Sequence, residues 1–281
     1  MKRLLNIELQ KLWKNRSSKV LIITYFALLC FLALIASIKF TLFGVEFKLS
    51  DQGVLDFPYI WHFNSYIAAV LKIFLALVIV SMMSNEYTYG TLKQNLIDGL
   101  SKKEFLTSKL LTVLLFSGIS TLFIFFVSLI LGYSFSSYTE FSIVFSDLGY
   151  IGAYFLKLFA FFSFCLFAGV LIKRSAFAVG FIILWNIIEG IIHVILRINV
   201  NGENTDSVVN TIMGFLPLES MSNLIKEPFT KFKAYKAIEG QVSGGITEKF
   251  YGVHWYEIVI VLAWTAIFIT LSYNILKKRD L

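Results

Sequence analysis

Glu189 and His193 lie four residues apart in an otherwise apolar run, with Arg197 four further on. On a helix that spacing stacks all three along one face. A carboxylate and an imidazole so placed could act as an acid-base pair, the chemistry that an intramembrane enzyme or an ion-coupled secondary transporter would need. The ladder admits two roles. In one, His193 and Arg197 neutralise Glu189, or its carboxylate reaches the outer membrane boundary. In the other, the ladder lines a translocation path or a dimer seam and touches substrate. Lys72 and Lys157 also fall within apolar runs. A charge near the bilayer centre costs roughly 2.5 to 3.5 kcal/mol on insertion scales, so each needs a partner, a cavity or a route to water. Lys72, near the middle of its run, is a candidate partner for Glu189 across a helix bundle.

The patterns that would make these residues catalytic are missing. There is no H-E-x-x-H, no G-x-S-x-G and no serine with a base at a recognisable spacing. None of the 17 glycines is followed by Lys, which excludes the phosphate-binding loop G-x-x-x-x-G-K-[ST]. A lone Glu and His fall short of the three or four ligands that zinc takes, so no metal site is expected. Cys30 and Cys165 sit inside apolar runs and are expected as small buried thiols. A secondary transporter would show broken helices and internal symmetry, and neither is visible.

The elements that must position these residues are membrane spans. Of the 281 residues 57% are hydrophobic and only 15% charged, with a mean hydropathy of +0.75. Soluble domains carry roughly 25% charge, so one soluble globular domain is excluded, and so is disorder. Apolar stretches of the length that crosses a roughly 30 Å hydrocarbon core occur at 20–38, 59–83, 110–132, 151–172, 176–196 and 256–276. The chain is therefore expected to be an all-α membrane protein with six transmembrane helices and both termini on one side. The first run is too long for a secretory signal and no A-x-A pattern follows it, so it reads as a retained anchor.

Charge gives the side. Fifteen of the 25 basic residues fall in the N-terminus, the second connection, the fourth connection and the C-terminus, against eight in the opposite loops and two within spans. Six of those eight lie in one long loop, 197–255, where charge bias matters little, so the positive-inside rule makes both termini cytoplasmic. Asp51, Asp56, Glu140 and Asp147 would then face outward. The net charge of +7 is spread between apolar runs instead of gathered on a wet patch, which argues against nucleic acid as a partner.

Two segments on the basic side have legible local structure. In 1–19, Leu5, Leu9, Leu12 and Trp13 recur on one helical face, with Lys11, Lys14 and Arg16 on the rest, so an amphipathic helix is expected in the headgroup plane. Asn15, Ser17 and Ser18 should break it before the first span. In 84–109, Leu92, Leu96 and Leu100 are spaced by four, predicting a short helix over 89–98 that stops at Gly99, well suited to a left-handed cap. Ser101 and Glu104 then make an S-x-x-E capping box for the next helix.

Glu86, Gly90, Thr91, Leu92, Leu96, Ser101, Lys102, Lys103 and Lys109 resemble the signature E-x-x-x-G-T-L-x-x-x-L-x-x-x-x-S-[RK]-x-x-x-x-x-x-K in the first cytoplasmic loop of ABC-2 type permeases, the membrane subunits of ABC exporters. The span layout and the basic N-terminal helix resemble that family as well, over nearly the whole chain taken as a single domain. Where the family often has Pro, this chain has Gly99. The resemblance implies a non-catalytic permease subunit in a bacterial cytoplasmic (inner) membrane, paired with a second copy of itself or a similar permease and with two cytosolic ABC ATPase subunits. ATP and Mg would be bound on those partners, with no cofactor on this chain. It further implies that 90–99 is the coupling helix, that Glu86 and Lys109 anchor its ends, and that 1–19 is an elbow helix lying against it. The loop 197–255 would carry short outward helices that partly re-enter the membrane, with a glycine-rich turn at 240–245. Lys72, Glu189 and His193 would lie on the translocation path or the dimer seam. The cargo is expected to be amphipathic, peptide, drug-like or lipid-like.

Overall fold

In the computed structural model, residues 2–35, 39–42, 45–48, 53–200, 205–231 and 251–279 are described. The turn expected at 240–245, Asp51, residues 201–204 of the long loop and the last residues of the first expected span, 36–38, lie outside them.

The N-terminal helix α1 (Lys2–Lys14) ends at Asn15, as the polar break predicted, and α2 (Arg16–Ile35) follows at once. A two-stranded antiparallel hairpin comes next, β1 (Lys39–Leu42) and β2 (Val45–Lys48), with Phe40 opposite Phe47 and Leu42 opposite Val45. The longer elements that follow among the described residues are helices: α3 (Tyr59–Val70), α4 (Lys72–Thr88), α5 (Thr91–Ile97), α6 (Lys102–Phe135), α7 (Phe141–Val144), α8 (Gly149–Ile172), α9 (Ser175–Asn199), α10 (Thr205–Met213), α11 (Pro217–Asn223) and α12 (Trp255–Lys278).

Among the described residues, four helical stretches are long and apolar enough to cross a membrane: α6, α7 continued into α8, α9 and α12. The pair α3 and α4 makes a fifth only if the two count together, because they meet at a bend of 44°. The sequence read 59–83 as one span. The break falls at Leu71, whose N–H bonds to Ala68 in a tighter i to i+3 turn, and it leaves Lys72 as the first residue of α4. The first expected span, α2, is not among these stretches within the described residues.

The core forms around α8, which apart from Lys157 carries no charge and is apolar nearly all round. Its apolar stretch is 72% buried inside the protein, against 11% for α9, which lies at the periphery. Around α8 pack α12, α4, α6, α9 and α3. A side chain at Gly169 would run into Met83, so the close approach of α8 to α4 depends on that glycine. Within this core Cys165 is buried as expected, whereas Cys30 is exposed on α2. A smaller cluster, including Leu55, Phe57, Trp61 and Val144, closes the opposite end of α3 and α6, with Trp61 Nε1 donating to the Val144 carbonyl at 2.7 Å.

Candidate functional site

The loop between α4 and α6 is built from local rules. Gly90 and Gly99 both have positive φ, +67° and +94°, and nothing crowds either one, so the glycines are needed for backbone conformation and not for space. After α5 the Leu100 N–H bonds to the Asn95 carbonyl and the Gly99 N–H to the Leu96 carbonyl, the double closure of a Schellman cap. The helix is shorter than the predicted 89–98, and it stops at the predicted glycine. Ser101 Oγ accepts from the Glu104 N–H at 3.1 Å, and the Glu104 carboxylate accepts from the Ser101 N–H at 3.0 Å, completing the capping box. Leu92 is buried, Leu96 and Leu100 pack against the core, and Tyr89, Lys93, Gln94 and Ile97 are exposed.

A buried ionic cluster locks the root of this loop. Lys109 Nζ on α6 donates to Glu86 of α4 and to Glu8 of α1, at 2.6 Å each. Lys11 of α1 donates to the same Glu86 oxygen at 2.9 Å, and Thr91, the first residue of α5, donates to the other Glu86 oxygen at 2.5 Å. Lys109 has no exposed side-chain surface and the two carboxylates almost none. Two positive and two negative groups balance: Lys109, Glu8 and Glu86 leave water together, and Lys11, 39% exposed, supplies the second positive charge from the rim. Burial opposes the charge on Lys11, but Glu86 and Glu8 outweigh it and raise its pKa above the usual lysine value. Glu86 and Lys109, separate positions of the sequence signature, thus meet directly. Glu8 and Lys11 were missed. Glu8 is the first acid in the chain, with the next at Glu46, and it shares a helical face with Leu12, so the buried side of α1 combines an acid with leucines. Trp13, assigned to that face from the sequence, is 56% exposed.

A second set of bonds ties the same root to the C-terminus. Arg279 donates to Tyr87 Oη at 2.9 Å and to the carbonyls of Val170 and Leu171 at 2.5 and 2.8 Å, where a cation suits the negative end of α8. Lys102 donates to the carbonyls of Lys277 and Arg279, while Lys103 beside it is exposed. Both ends of the chain and the α5 loop therefore sit at one end of the bundle.

The intramembrane charges are arranged otherwise than the ladder suggested. Glu189 is buried on α9, and it accepts from Trp185 Nε1 at 2.8 Å and from the backbone N–H groups of Leu218 and Glu219 at 3.0 and 2.9 Å. Those amides open α11, so Glu189 caps it from another helix. Lys157, buried on α8, donates to the carbonyls of Ser222 and Ile225 at 3.2 and 3.5 Å, at the far end of α11. A short helix is thus held by a carboxylate at its positive end and an ammonium at its negative end. Burial and the nearby Glu189 push the Glu219 carboxyl above the usual range. Arg197 turns away to Asp206 at 3.4 Å on the exposed surface, and neither it nor His193 forms an ion pair with Glu189. The expected pairing of Lys72 with Glu189 also fails, because Lys72 Nζ lies over the Phe161 ring, 4.2 Å from its centre. Among the described residues no three His, Cys, Asp or Glu side chains gather to hold a metal ion.

The chain matches the family model described as ABC-2 family transporter protein over residues 5–281. No curated protein matches it.

Proposed function

The chain belongs to the ABC-2 family of transporter proteins, whose members are non-catalytic membrane permeases that work with ABC ATPase subunits, and on that premise we propose how it couples to them. The α5 loop is the coupling element, and it docks on a cytosolic ATPase through the exposed face that carries Tyr89, Lys93 and Ile97. The buried cluster of Glu8, Lys11, Glu86 and Lys109 carries this reading. A docking element transmits force only if it is joined stiffly to the helices that must move, and this cluster joins the root of α5 to α4, α6 and α1 in one ionic knot. The clasp of Arg279 and Lys102 adds α8 and α12.

In this reading α1 is the elbow helix, α2 is the first of six spans, and both termini are cytoplasmic in a bacterial inner membrane, as the distribution of basic residues favours. Two ATPase subunits, loaded with ATP and Mg, serve two permeases. The second permease, a copy or a similar chain, covers the apolar outer face of α9, which displays Ile183, Leu184, Ile187, Ile191 and Val194. Lys72, Glu189 and His193 lie beside the path or the seam, with α11 over its outward end. The cargo is exported and is amphipathic, peptide, drug-like or lipid-like. A catalytic or ion-carrying Glu189 is disfavoured because backbone amides and Trp185 already occupy its oxygens.

The test is co-purification of the chain with its ATPase, followed by ATP hydrolysis in reconstituted vesicles. Replacing 91–97 with an unrelated linker should abolish both association and coupled hydrolysis. Unchanged association and hydrolysis would refute the coupling role.

A further inference from the structure

Between α1, α2 and α6 there is an apolar groove of about 500 Å³, lined by Leu9, Leu12 and Trp13 of α1, Ile22 and Phe26 of α2, and Phe116 and Ile119 of α6. Its size is that of a site for a single small ligand. It is a concavity and not the ordinary outer surface of a span: Leu12 and Phe116 are buried, whereas Trp13 and Ile119 are 56% and 46% exposed. Apart from Gln10 and Lys14, every residue lining it is apolar.

Charge singles out the occupant. Residues 1–35 contain six basic side chains, Lys2, Arg3, Lys11, Lys14, Arg16 and Lys19, and one acid, Glu8. That acid is buried and held by Lys109 and Lys11, so it offers nothing negative to the groove. Lys14 lines the groove, Lys19 Nζ lies 4.9 Å from the centre of the Trp13 ring, and Arg16 is exposed beside them. Phe26 lies ten residues along α2 from Arg16, or about 15 Å of helix. Half of a hydrocarbon core is also about 15 Å. The groove therefore joins a basic mouth at headgroup level to an apolar channel the depth of one leaflet.

We propose that this groove binds an anionic phospholipid, with one acyl chain laid between α1, α2 and α6 and the phosphate held by Lys14 and Lys19. α1 also carries Glu8 and Lys11, so a bound lipid would brace the helix that holds the ionic cluster. The assignment does not depend on the coupling role of α5.

Trp13 reports on the site directly. The full chain is reconstituted in nanodiscs of zwitterionic lipid containing, at equal mole fraction, either acyl-brominated phosphatidylglycerol or acyl-brominated phosphatidylcholine. The Trp13 signal is the difference in emission between the native chain and Trp13→Phe. Quenching of that signal should favour the anionic lipid by about fivefold, the contribution of one basic residue near an anionic surface, or by more if both lysines act. Lys14→Gln should cut the preference. The matching difference signal from Trp255, 75% exposed near the opposite end of the bundle, should show no preference. Equal quenching of Trp13 by the two lipids would overturn the proposal, as would no quenching by either, or an equal anionic preference at Trp255. If Lys14→Gln folds and keeps the full preference, the basic mouth is wrongly assigned. If it does not fold, the comparison of the two lipids on the native chain still decides.

Discussion

The two ends of the bundle both bury charge, and they neutralise it by different means. At the loop end, carboxylates meet ammonium groups directly, with two Lys109 contacts of 2.6 Å and no side-chain exposure of that lysine. At the other end, Glu189 and Lys157 are joined through a helix, each bonded to backbone at one terminus of α11. The first arrangement is an ionic knot between rigid helices, and losing one member strands the others in a dry site. In the second each charge meets a helix end, and α11, seven residues long, is easily frayed. The loop end is thus braced by direct ion pairs between helices, whereas the other end holds a small helix by its two termini.

The contrast can be broken most forcibly at Lys109. Lys109→Met leaves Glu8 and Glu86 buried with only half-exposed Lys11 between them, and should cost about 3 to 5 kcal/mol, read as a large fall in melting temperature and folded yield. Adding Glu86→Gln should cost less than the sum of the two single changes, because the two residues act as a unit. A smaller, local effect is expected from Glu189→Gln. The amide offers one acceptor oxygen where three donors converge, so the loss should be about 1.5 to 3 kcal/mol. Hydrogen exchange should quicken at the Leu218 and Glu219 amides and stay unchanged over α5. If Glu189→Gln instead loosens α5, the two ends are not independent. The smallest effect sharpens the loop itself: Gly99→Ala forces a side chain into a left-handed backbone and should cost about 1 to 2 kcal/mol. That change should weaken ATPase association with little effect on α11.

What the sequence made legible follows the range of the interaction. The break at Asn15, the stop at Gly99 and the capping box of Ser101 with Glu104 all depend on residues within a few positions, and the structure contains them. Glu8 meeting Lys109 spans 101 positions and Glu189 meeting Leu218 spans 29, and no local pattern announces either. The ladder misled for a physical reason: equal spacing puts Glu189, His193 and Arg197 on one face, but a helix end is a better partner for a buried carboxylate than a neighbour that can reach the surface. No element was expected over the hairpin, which begins at Lys39, just after the first expected span. Its alternation, Phe40 and Leu42 against Val45 and Phe47, was nonetheless in the sequence.

The coupling claim is tested most directly by photo-crosslinking from two equally exposed positions. Ile97 on the α5 loop is 75% exposed and Phe141 at the other end is 77% exposed, so a photoreactive residue at either has similar access. In the assembled complex, position 97 should crosslink to the ATPase and position 141 should not. An intact complex with no crosslink from position 97, or with equal crosslinks from both, would contradict the assignment of α5 as the docking element.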